Sequence, residues 1–195
     1  MHATIDPMLP PDDLQPERIR PLSRREYDRL VELGVFEDER IELLRGMLVT
    51  MSPQGNVHAG LTAWLAQQLT LRTAGTYDVR SHSPFAADDY SEPEPDVVVS
   101  RRREHYAHPE PPEVLLLVEV ADSSLRKDRR VKVEIYAEAA VPEYWIFDIP
   151  AKAIDVHTQP ADGRYTSVVR YTQAGVLRPV ALPGVTIDVA EIRWA

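Results

Sequence analysis

Two carboxylates and one lysine carry the chemistry this sequence can do. Asp96 follows Pro95 and opens the run Asp96-Val-Val-Val-Ser100, and Glu119 interrupts Val114-Leu-Leu-Leu-Val-Glu-Val120. A carboxylate inside so apolar a run is costly unless a charge or a donor answers it. Two of them, on strands that can pair, form a natural cradle for a divalent cation. Lys132 follows on the next predicted helix. Hydrolysis of a phosphodiester calls for this set. A hard cation neutralises charge developing on phosphate and makes a hydroxide-like nucleophile near neutral pH. Mg2+ prefers oxygen ligands and keeps several waters, so one or two protein carboxylates suffice. Asp96 and Glu119 are therefore the expected ligands of Mg2+ or Mn2+, with the carbonyl of Val120 as a third oxygen. Lys132 would orient the attacking water and stabilise the phosphorane-like charge.

The elements that must position these groups follow from periodicity and turn signals. Ser23-Arg-Arg-Glu26 is a capping box, and Tyr27, Leu30, Val31 and Leu33 give the first helix an apolar face that ends at Gly34. Residues 41–51 predict a hairpin turning at Arg45-Gly46. A second helix is expected over about 57–73, closed by Gly75, and strands over 77–81 and near Phe85. The two strong strands, 96–100 and 114–120, precede a third helix over about 127–140 with a core face of Val131, Ile135 and Ala139. Residues 143–148 form a further apolar strand, in which Tyr144 and Trp145 are expected in the core. Shorter β segments follow near 153–158, 165–171 and 185–189. The order predicts a mixed α/β fold, a sheet flanked by helices with an N-terminal helix and hairpin and a β-rich tail. Strand 114–120, its helix and strand 143–148 make one right-handed crossover unit.

Composition bounds the partners. A chain of 195 residues fits one domain, here 22–195, behind a Pro-rich, poorly ordered arm over 1–21. No stretch approaches the roughly 20 apolar residues of a membrane helix, so no membrane partner is expected. The arm has no apolar signal region, which favours the cytoplasm. Without cysteine there is neither a disulfide nor a thiolate zinc site. The net charge of −9 counts against a nucleic-acid partner. Two basic clusters, Arg101-Arg102-Arg103 and the Arg126–Lys132 segment, count for one, because the local field matters more than the sum.

Pro95-Asp96, Glu119-Val120, Asp128-Arg-Arg-Val-Lys132, Tyr136 and Val141-Pro-Glu-Tyr-Trp-Ile-Phe-Asp148 together resemble the Uma-two family of restriction-endonuclease-like proteins. That family lies in the PD-(D/E)XK nuclease superfamily. Ile41-Glu-Leu-Leu-Arg-Gly46, Met51-Ser-Pro53 and His58 extend the likeness to roughly residues 22–190. The resemblance implies a restriction-endonuclease-like sheet, a metal-dependent endonuclease acting on DNA, and a homodimer. It also implies that Glu42 is an acidic site residue and that His58 contacts phosphate or tunes the base. The superfamily lysine lies two residues after the Glu, where this chain has Ala121. The resemblance implies that the lysine has moved to the helix, at Lys132, with Lys127 as the fallback.

Each residue also has a plainer reading. Asp96 could cap a loop, Glu119 could pair with an arginine, and Lys132 could pair with Asp128 on the helix surface. Glu42 could lie on an exposed β face, and His58 at a solvated helix start. His105 and His108 are expected at the surface, and Glu92 and Glu94 in a solvated acidic loop. At the level of function, the alternatives are a catalytically inactive module of nuclease fold and a metal hydrolase acting on another phosphoester.

Overall fold

Six strands form one mixed sheet in the order β3-β4-β5-β6-β7-β8. The computed structural model describes residues 18–102 and 107–194. The strands are β3 (Tyr77–Ser81), β4 (Val97–Arg101), β5 (Val114–Ala121), β6 (Glu143–Asp148), β7 (Ala153–Ala161) and β8 (Arg164–Tyr171). All neighbours are antiparallel except β5 and β6, which run parallel. That pair forms the expected crossover unit. Ahead of the sheet lie α1 (Arg24–Glu32), the hairpin β1 (Ile41–Leu44) and β2 (Met47–Thr50), and α2 (Asn56–Thr73). A two-stranded ribbon, β9 (Val176–Leu177) with β10 (Ile187–Asp188), closes the tail.

Alternation along β5 divides the core. Leu116, Val118 and Val120 face a cluster built with Leu61, Leu65 and Leu69 of α2, Trp145, Phe147 and the tail. Leu117 and Ala121 face the other cluster, with Leu44, Phe85, Tyr136, Tyr144 and Ile146. Glu119 therefore points to the second face, as the period of two requires. The register makes the same assignment for Asp96. Val97 pairs with Val118 and Val98 with Leu117. One residue beyond the last pair, Asp96 stands opposite Glu119 on the same face. Side chains so placed have Cβ atoms about 5 Å apart.

The capping box of α1 is present, with Glu26 N donating to Ser23 Oγ and Ser23 N to Glu26 Oε2. Its apolar face is narrower than expected. Tyr27 is buried, but Val31 and Leu33 are exposed. The hairpin turns at Arg45 and Gly46, both at positive φ, as a two-residue turn of this hand requires. A Cβ on Gly46 would lie 2.3 Å from Pro21 Cβ. Of the predicted arm, residues 18–21 are described, and there Arg20 bonds Glu26 at 2.9 Å. The remainder lies outside the described residues.

Other expectations need correction. The stretch at Phe85 is a buried loop rather than a strand, its amide bonding Pro93 O while its ring fills the core. The third helix begins at Leu125 and passes as α3 (Leu125–Lys127) through a π-helical segment (Asp128–Lys132) into α4 (Val133–Glu138). Its buried face is Asp128, Lys132, Ile135 and Tyr136. Counting apolar residues chose Val131 and Ala139, which are only partly buried. The true face carries charge because it serves a polar site.

Candidate active site

The second face of the sheet gathers the predicted residues beneath the hairpin and the third helix. Lys132 Nζ lies 2.8 Å from Glu119 Oε1 and 2.9 Å from Glu42 Oε2, with its side chain 2 % exposed. The helix-surface pairing of Lys132 with Asp128 is thus replaced by two partners from β5 and β1. Glu42 is buried, not on an exposed β face, because the Leu43–Glu92 bridge folds the hairpin against the loop 85–95. Its other oxygen takes the Lys127 ammonium, and it also accepts from the Glu94 amide at 3.2 Å. Both lysines therefore converge on one carboxylate.

Asp96 Oδ2 accepts from the Val120 amide at 2.7 Å and lies 3.2 Å from His58 Nε2. Asp96 Oδ1 lies 3.4 Å from His82 Nδ1. Continued by two residues, the β4–β5 register sets Pro95 opposite Val120. The Val120 amide takes its acceptor from the Asp96 side chain. Proline has no N–H, so Pro95 offers no donor to the Val120 carbonyl.

Glu119 Oε1 also accepts from Tyr136 Oη at 2.8 Å. Lys132 and Tyr136 both use this oxygen, and Oε2 has no hydrogen bond among the described residues. Burial is the strongest influence on Glu119 and lifts its pKa well above the usual carboxylate range, with Lys132 opposing and Asp128, Asp96 and Glu42 adding to it. Burial also acts on Glu42, but the two lysines outweigh it and hold that carboxyl below its ordinary value. Burial opposes the Lys132 charge as well, and Glu119, Glu42 and Asp128 outweigh it, so the ammonium is held above its ordinary value.

Asp96, Glu119, Lys132, Lys127, His58, Asp128 and Glu94 line one cavity of about 60 Å³. A water needs roughly 10–15 Å³ on this measure, so a hydrated ion fits. Among the described residues no three His, Asp or Glu side chains converge as a complete metal cage. Mg2+ does not need one, since it keeps its waters and takes one or two carboxylates. The oxygen-only donors Asp96 and Glu119, with Glu119 Oε2 unused by any described residue, and the Val120 carbonyl suit such an ion.

Three site residues carried no role in the sequence reading. Tyr136 and Asp128 flank Lys132 at four-residue spacing, which is the signal that could have found them. Asp128 is fully buried, with Oδ2 accepting from Ser124 Oγ at 2.6 Å and Oδ1 without a hydrogen-bond partner among the described residues. His82 sits in a loop at positive φ, where no sequence pattern announces it. The solvated acidic loop is also corrected. Glu92 is 5 % exposed, and Glu94 pairs with Arg40 at the cavity wall. His108 is exposed, 3.7 Å from Glu92, whereas His105 and Arg103 lie outside the described residues. Tyr144 and Trp145 are core residues, as expected.

No helix among the described residues is long and apolar enough to cross a membrane. The fold is similar to a solved structure from Anabaena variabilis described as a "putative nuclease belonging to DUF820". The TM-score is 0.69 at 10% identity, over 87% of this chain and 96% of that one, and the likeness is one of fold. Among curated proteins, none matches this chain. Residues 24–190 match the family Uma2, described as "Putative restriction endonuclease". With a match over nearly its whole length and the restriction-endonuclease-like sheet beneath it, the chain belongs to the Uma2 family.

Proposed function

We propose that this protein is a metal-dependent endonuclease that hydrolyses phosphodiester bonds of DNA. The observation that carries the reading is the placement of Asp96 and Glu119 on one face, across neighbouring strands, with the Lys132 ammonium 2.8 Å from Glu119. Asp96, Glu119 and the Val120 carbonyl would hold Mg2+ or Mn2+. When bound, the ion supplies Lewis-acid polarisation of the phosphoryl group and an acidified water.

The chain's own groups do the rest. Lys132 orients the attacking water and neutralises charge that develops on the phosphoryl oxygens. Glu42 fixes the Lys132 and Lys127 ammonium groups between the hairpin and the third helix. Tyr136 holds Glu119 Oε1, which leaves Oε2 for the ion. His58, beside Asp96, contacts the phosphate or tunes its partner carboxylate. One chain offers one such cleft, so cutting both strands of a duplex calls for a homodimer.

The net charge of −9 favours a second reading, an inactive module of the same fold. Plasmid nicking in Mg2+ or Mn2+ separates the two. The wild type is expected to nick, and Asp96→Asn to lose about two orders of magnitude or more. Equal nicking by that variant removes the assignment. A protein that neither nicks nor binds Mn2+ in a titration supports the inactive module.

A further inference from the structure

Five cations follow β5 within a few residues: Arg126, Lys127, Arg129, Arg130 and Lys132. The structure sends them to three destinations. Lys127 and Lys132 converge on Glu42 inside the catalytic cavity. Arg129 pairs with Asp148 at 2.9 Å and Asp155 at 2.6 Å. Arg126 and Arg130 are exposed and make no hydrogen bond or ion pair with any described residue. They share this with other described cations, Arg25, Lys152 and Arg164 among them, so it is their placement that sets them apart.

Their surroundings distinguish them from the other exposed cations. Arg126 and Arg130 line a groove of about 480 Å³ with Thr50, Ser52, Ser123 and Ser124, and no carboxylate lines it. Ser124 commits its proton to Asp128. The other three hydroxyls are exposed and without partners among the described residues. The groove runs into the catalytic cavity, because Ser52, Ser123, Ser124 and Lys127 line both. At the cavity wall Arg40 is already paired with Glu94, whereas Arg126 and Arg130 are answered by no carboxylate that lines the groove. Arg and Ser/Thr side chains are the groups that bind backbone phosphates and fix register without reading sequence.

We infer that this groove binds the phosphate backbone of the nucleic-acid strand beside the scissile bond, with Arg126 and Arg130 each neutralising one flanking phosphate. The inference rests on the nuclease reading and adds to it the side from which the strand enters. It also accounts for DNA engagement by an acidic protein, since the binding field is local.

The test is the salt dependence of binding, measured on the full chain in EDTA by fluorescence anisotropy with labelled single-stranded and duplex oligonucleotides. Arg126→Gln and Arg130→Gln are each expected to lower the slope of log K against log salt by roughly 0.7–0.9, and the double variant by about twice that. Arg126→Lys and Arg130→Lys keep the charge and should keep the slope, which separates loss of charge from misfolding. Lys152→Gln removes an exposed cation in the turn between β6 and β7 and should leave the slope unchanged. If the Gln variants match Lys152→Gln while the wild type binds and nicks, the groove is overturned and the nuclease reading stands. If the wild type neither binds nor nicks, both fall together.

Discussion

Asp96 Oδ2 accepts a hydrogen bond from the Val120 amide at 2.7 Å, so the side chain that precedes β4 finishes the ladder of β5. The same carboxylate has a structural task and a proposed metal-binding one, and substitution can separate them. Asp96→Ala orphans a buried amide and is expected to cost about 1–3 kcal/mol in urea denaturation. Asp96→Asn keeps an acceptor for that amide and should stay within about 1 kcal/mol of the wild type. Both variants should lose Mn2+ binding in calorimetric titration. Equal stability of the two would show that the amide contact does not hold the strand end.

The two lysines on Glu42 differ in what they leave behind. Lys132 is 2 % exposed and stands between Glu42 and Glu119. Lys132→Ala leaves an uncompensated buried carboxylate and is expected to cost about 3–5 kcal/mol. Lys127 still answers Glu42, so the stranded carboxylate is Glu119, and adding Glu119→Gln should recover part of that loss. The Lys127 side chain is 24 % exposed, and its loss should cost about 1 kcal/mol or less, since water screens the remaining charge. Nicking should vanish in Lys132→Met and survive in Lys127→Ala. The reverse result would make Lys127 the catalytic lysine.

Much of this site was legible because its residues break local rules. Asp96 and Glu119 interrupt apolar strands, and a buried charge in such a place is itself information. Lys132 stood out less, because a lysine on a helix is ordinary. Its burial depends on the hairpin lying across the sheet, and that placement is long-range. Glu42 shows the same limit. Its strand was predicted, but only the Leu43–Glu92 bridge puts it under the third helix. The Phe85 loop failed differently. Its apolar residues imitate a strand, but its amide bonds a neighbouring loop, and local periodicity carries no record of that pairing. The split of the basic cluster into site, ion-pair network and open groove was equally out of reach, since it depends on which side of the helix each cation leaves.

Glu92 should make the stability of the protein depend on pH. Burial is the main cause that pushes its carboxyl up to about 7, with Asp28 adding and Arg24, 3.9 Å away, opposing. His108 Nδ1 lies 3.7 Å from its other oxygen. A raised folded-state pKa means that the folded protein holds the proton more tightly than the unfolded chain. The stability this gives is present at low pH, falls as pH rises from about 4.5 to about 7, and is level beyond. Across that window the change is about 3 kcal/mol. Glu92→Gln should be more stable than the wild type at pH 8 by an amount of that order, and the difference should shrink to nothing near pH 4. Guanidinium titrations at several pH values check this, and a constant difference across them would remove the assignment.

Arg129 and Arg170 share two buried carboxylates and should therefore cover for one another. Arg129 reaches Asp148 at 2.9 Å and Asp155 at 2.6 Å, and Arg170 reaches them at 3.0 and 2.6 Å. Burial would raise the Asp148 pKa, but Arg170, the Ala151 amide and Arg129 outweigh it and hold it below the ordinary value. Both guanidiniums are about a third exposed, so either one alone retains part of the field and water screens the rest. Arg129→Ala and Arg170→Ala should each cost about 1 kcal/mol. Removing both leaves Asp148 and Asp155 buried without a cation, and the double variant should exceed the sum of the singles by about 1–3 kcal/mol. The two arginines differ in one further respect. Arg129 lies on the π-helical segment three residues before Lys132, whereas Arg170 lies on the edge strand β8. Loss of Arg129 frees the helix that presents Lys132, the proposed catalytic lysine, so it should slow nicking several-fold more than loss of Arg170 does at matched stability. A strictly additive cycle would show that the arginines do not share their carboxylates, and equal nicking by the two single variants would show that Arg129 does not anchor the site.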